Sequence, residues 1–95
     1  MSNDDSSDRE IATTLYNHLE ATEELPVDRT ASRWIGEAQA VAGDLIDETM
    51  GAAVRRKRAA KVRKLLEEVD STGHSEADDH VVRARELAAK LSEKQ

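Results

Sequence analysis

Apolar residues in this 95-residue chain recur at helical spacing, and no stretch alternates apolar and polar positions in the way a strand requires. Ile11, Ala12, Leu15 and Leu19 share one helical face, with Ser7 and Glu10 at capping-box spacing ahead of them. Pro26 biases Leu25 away from helical angles, so the first helix is predicted over roughly 8–24. Asp28 is the predicted N-cap of a second helix, 29–49. Its stripe is Ala31, Trp34, Ile35, Ala38, Val41, Ala42, Leu45, Ile46 and Thr49. Val54, Val62, Leu65, Leu66 and Val69 define a third helix over 53–70. Gly73 in "DSTGHS" then suits a left-handed C-terminal cap. Ser75 with Asp78 gives a weaker capping pattern for a fourth helix, 76–93. There Ala77, Val81, Ala84, Ala88 and Leu91 step by 4, 3, 4 and 3, which is coiled-coil spacing with a mostly alanine seam.

The join between the second and third helices is decided by phase. Twenty residues separate Trp34 from Val54, and at about 100° per residue a straight helix would put their stripes on nearly opposite sides. The chain must therefore break near Thr49–Ala53, around Gly51, and one helix end must unwind to make the turn. The expected fold is all-α, a small antiparallel bundle of about four helices. The competing architecture is one long bent helix, 29–70, packed in a dimer.

Composition narrows this picture. Large apolar residues are few and fourteen alanines make up the count, so the core must be thin and the helices close. The organisation expected is a disordered acidic tail at 1–6 and a single helical domain at 7–95. There is no cysteine, no long apolar run and no signal-peptide pattern, so the expected setting is cytoplasmic, without a membrane. The excess of acids, the preference for Arg over Lys and the small apolar residues resemble proteins of salt-loving organisms.

Charge is distributed unevenly. Residues 1–50 carry a net −9, residues 51–69 a net +5 and residues 70–95 a net −2. Seven cations fall within ten residues: Arg55, Arg56, Lys57, Arg58, Lys61, Arg63 and Lys64. Lys57, Lys61 and Lys64 form one outer stripe with Arg56 and Arg63 beside it. Arg55 and Arg58 lie on the same side as Val54, Val62 and Leu65, where they can snorkel from the core edge or pair with carboxylates. The cluster is a candidate contact for nucleic acid or for a protein partner. Stacking aromatics are missing and the net charge has the wrong sign, so nucleic acid is the second choice.

Other constellations carry less. His74, Glu76 and His80 fall close in sequence, but nothing forces them to converge, and they read as part of an acid-rich helix start rather than as metal ligands. His18 sits at the edge of an apolar face. Trp34 reads as core or as an interface anchor, and Gly36, Ala40 and Gly43 put small residues on the back of the second helix, a candidate self-association face. No catalytic site and no cofactor is expected. The function expected is protein–protein interaction or assembly, with an unidentified protein or a second copy as partner; the alternative is a nucleic-acid-binding accessory protein using Arg55–Lys64.

Overall fold

The computed structural model describes residues 4–47 and 49–93. Four α-helices account for most of them: α1 (Asp4–Ala21), α2 (Arg29–Asp44), α3 (Ala52–Glu67) and α4 (Ser75–Glu93), with one 3-10 turn, Thr22–Glu24, after α1. Each helix packs against the next, and α4 closes the ring on α1. Late residues of one helix meet early residues of its neighbour, as Asp44 meets Arg58 and His18 meets His80. The neighbours therefore run antiparallel, as an up-and-down bundle does.

One repeat explains the assembly. Buried rows run through 31, 35, 38, 42 and 45 along α2 and its C-cap, through 55, 59, 62, 66 and 69 along α3 and just past it, with Leu65 buried beside the row, and through 77, 81, 84, 88 and 91 along α4. All three series step by 4, 3, 4 and 3, and α1 joins them with Ala12, Leu15, Leu19 and Thr22. This is the heptad seam that lets side chains of one helix fill the holes of the next. Eight of the eighteen buried apolar side chains are alanine, which lets the backbones approach closely.

The break between α2 and α3 falls where the phase argument places it. Helix α2 stops at Asp44, five residues short of the expected Thr49, and the break before α3 includes residues 45–47 and 49–51. Gly51, with φ −69° and ψ 157°, is the N-cap of α3, and its carbonyl accepts the Arg55 N–H at 2.9 Å. The continuous 29–70 helix is thereby excluded. Thr49 leaves the core stripe: it is exposed, and both its N–H and its hydroxyl donate to the Asp47 carboxylate. Those two bonds, and the nearby Arg55 cation, hold the Asp47 carboxyl below its ordinary range.

Three expectations at helix ends are corrected. Helix α1 already includes residues 4–6, assigned above to a disordered tail, and Ser7 lies inside it rather than at its cap. An acid-rich opening suits the positive end of a helix dipole, so polarity alone did not argue for disorder; residues 1–3 lie outside the described residues. Ser75 and Asp78 do not form a capping box. The Asp78 carboxylate accepts the Thr72 N–H and lies 2.8 Å from the Thr72 hydroxyl, while the His74 carbonyl and Nδ1 accept the N–H groups of Asp78 and Ala77. The Thr72 bonds hold the Asp78 carboxyl below its ordinary range. Gly73 has the expected positive φ, 82°, but it lies beyond the α3 end, immediately before His74 and α4.

Gly73 is nevertheless required where it stands. The Asp28 N–H donates to the Thr72 carbonyl at 2.8 Å, stitching the loop before α2 to the loop before α4. A Cβ on Gly73 would meet Asp28 Oδ1 at 2.8 Å, closer than such atoms approach. Gly73→Ala is expected to destabilise by about 1–3 kcal/mol through backbone strain and this clash. Gly36→Ala, on the exposed side of α2 with open space around it, is expected to stabilise by about 0.5–1 kcal/mol. Urea melts of the two variants check the opposite signs, and a shift in the same direction would show that the loop stitch is misread.

Candidate functional site

The fold sorts the cations of α3 into two groups. Four helical neighbours point inward, at Arg55, Ala59, Val62 and Leu66, so the first buried place of this heptad is held by an arginine. Arg55 is 7% exposed, and its Nη2 donates to the carbonyls of Asp47 at 3.3 Å and Met50 at 3.2 Å. Its Nε is buried with no hydrogen-bond partner among the described residues. Arg55 thus pins the α2–α3 turn to the helix that follows it. Val54, expected in the core, is displaced outward and is 46% exposed. A residue one step from Arg55 is turned by about 100°, and at this end of α3 that step carries Val54 out of the seam.

Arg58 and Arg63 are satisfied at the surface. Arg58 reaches Asp44 at 3.6 Å, and Arg63 donates to Glu67 one turn on at 3.2 Å. Arg56 is half-buried. Lys57, Lys61 and Lys64 remain, exposed and without an ion-pair partner among the described residues. Their 4, 3 spacing lays them along the outward side of α3, over a length of about 10 Å. The expected outer stripe is present; the internal pairing belongs to the arginines.

Of the candidate interface on α2, Gly36, Ala40 and Gly43 line one concavity with Tyr16, Glu23 and Gln39, and Trp34 is not among its lining residues. Gly43 lies under the Tyr16 ring, 3.5 Å from where its Cβ would be, and Tyr16 Oη accepts from Gln39 at 3.4 Å. Gly43 is therefore part of the α1–α2 packing, whereas Gly36 and Ala40 are exposed. Trp34 is half-buried and packs against the core from its edge, beside the heptad row rather than in it.

The three histidines take separate roles. Among the described residues, no three His, Cys, Asp or Glu side chains converge as a metal cluster would require. His74 is engaged at the start of α4, and His80 turns instead to α1. There its Nδ1 lies 2.9 Å from Nδ1 of His18, with the rings 5.1 Å apart and tilted by 48°. Partial burial, then His80, then Arg83 push the His18 imidazole below its ordinary range. The sequence places each histidine beside an apolar seam but carries no signal that the two seams meet.

With this geometry in view, comparison with known families is informative in one respect. The family described as "Domain of unknown function (DUF8152)" matches residues 11–95. The chain belongs to that family. The match runs from the first half-buried apolar residue of α1, Ile11, and so includes the α3 cations and both members of the histidine pair. No curated protein and no solved structure matches the chain. No helix among the described residues is long and apolar enough to cross a membrane.

Proposed function

We propose that this DUF8152 protein is a non-catalytic interaction module that docks an acidic helical segment of a protein partner along the outer face of α3. The observation that carries the reading is the separation of the cations: the fold engages Arg55, Arg58 and Arg63 and leaves Lys57, Lys61 and Lys64 free on one stripe. Ammonium groups at 4, 3 spacing match carboxylates at the same spacing on a facing helix, and such complementarity steers association and fixes register. A long polyanion is less well served. The stripe is short, the segments on either side carry net −9 and −2, and the two aromatics of the chain belong to α1 and α2.

The triple change of Lys57, Lys61 and Lys64 to Gln tests this directly. Because all three are exposed, stability should stay within about 0.5 kcal/mol of the parent. The proteins captured by the parent from nuclease-treated lysate should be lost with the variant. Duplex and single-strand binding should be weak for both proteins even at low salt. Tight DNA or RNA binding by the parent, abolished in the variant, would transfer the function to nucleic acid; equal capture by both proteins would move the contact off this face.

A further inference from the structure

We propose that His18 and His80 form a proton-operated latch on the α1–α4 seam, closed when the pair carries no more than one extra proton and released by the second. The contact is a hydrogen bond between two Nδ1 atoms 2.9 Å apart, so one Nδ1 must carry hydrogen and the other must be bare. A neutral pair meets this with one Nδ1–H tautomer and one Nε2–H tautomer. A singly protonated pair meets it with an imidazolium donor. A doubly protonated pair has hydrogen on both facing atoms, and the bond is replaced by repulsion between two cations.

The surroundings oppose the second proton. From α4, His80 and the Arg83 guanidinium both act on His18. Arg83 stays charged against Glu86, to which it donates at 2.9 Å. On α4 itself, Glu76 lies one turn before His80 and is exposed to water, and the exposed Asp79 adjoins His80 in sequence. Glu23 and Glu24, in the 3-10 turn after α1, are exposed as well. On its other side α1 meets α2 through Tyr16, Gln39 and Gly43, with Glu23 lining the same concavity. Helix α3 packs chiefly against α2 and α4.

The seam between these helices mixes large and small side chains. Leu15 and Leu19 of α1 and Val81, Ala84 and Ala88 of α4 are all buried there. Losing the latch removes a polar contact between α1 and α4. Because folding lowers the His18 pKa, the folded protein binds fewer protons than the unfolded chain below pH 6.5. Its stabilising contribution is full above that value and is lost as pH falls through the lower, folded value.

The test uses the full chain between pH 8 and pH 5, above the range in which ordinary carboxylates titrate. The imidazole carbon-bound protons of His18 and His80 are followed by NMR, with thermal melts of the parent, His18→Gln and His80→Gln. The pair should titrate in two steps separated by more than about one pH unit. The parent melting temperature should fall across the lower step, and in either variant that fall should shrink while the remaining histidine titrates in a single step. Independent titration of both rings at one common pH in the parent would overturn the proposal, and this measurement needs no variant to fold. A melting rise with zinc at pH 7.5, lost in both variants, would also overturn it by making the pair metal ligands.

Discussion

Leu15→Ala, Leu45→Ala and Leu66→Ala should each remove about 2–5 kcal/mol of stability. All three side chains have no exposed surface, and each occupies a heptad place facing other helices. Truncation loses the transfer free energy of the removed carbons and leaves a cavity that a rigid helix pair cannot close. A chain of this size loses about 4–8 °C of melting temperature per kcal/mol, so each variant should melt at least about 8 °C below the parent. Leu65, 8% exposed and one step off the heptad row, should cost less than its neighbour Leu66. Equal melting of Leu65→Ala and Leu66→Ala would mean that the face of α3 is assigned wrongly.

Arg55→Ala should be the most damaging change within the basic cluster, on the order of 2 kcal/mol. It strips a packed aliphatic stem from the bundle and leaves the Asp47 and Met50 carbonyls without their donor. Arg55→Met should recover the packing but not the two hydrogen bonds, and so fall between Ala and the parent. Arg58→Ala should cost at most about 1 kcal/mol, because its pair with Asp44 is half in water and 3.6 Å long. Chemical denaturation of the three variants ranks them. If Arg58→Ala proved as costly as Arg55→Ala, the turn would not depend on the buried guanidinium.

These contrasts show what the sequence could and could not disclose. The helix count and the α2–α3 break were legible, because a 200° phase difference cannot be absorbed by a straight helix. The end of α2 was not, since Leu45 and Ile46 stay partly or fully buried while the backbone leaves helical geometry after Asp44. Arg55 was placed on the core side, but so were Val54 and Arg58, and the sequence did not show that only Arg55 of the three is buried. The 55, 59, 62, 66, 69 series repeats the step already visible in α4, and carrying that step to α3 would have separated Arg55 from Val54 and Arg58. In the candidate site, the outer lysine stripe was readable from one helix alone. The His18–His80 contact was not, because it depends on which two seams the fold brings together across 62 residues.

The ring order of the helices also governs how the molecule assembles. The α1–α2, α2–α3 and α3–α4 contacts join segments adjacent in the chain, and each closes through a short turn. Only α4 on α1 requires the two ends of the sequence to meet, and the entropy of closing a loop grows with its length. Assembly can therefore proceed by local hairpins and leave that seam for last. An interaction formed after the rate-limiting barrier has little effect on how fast a chain folds and sets instead how fast it comes apart. With the seam closing last, the lifetime of the native bundle would be set where the two histidines sit, and acidity would act on it as a clock.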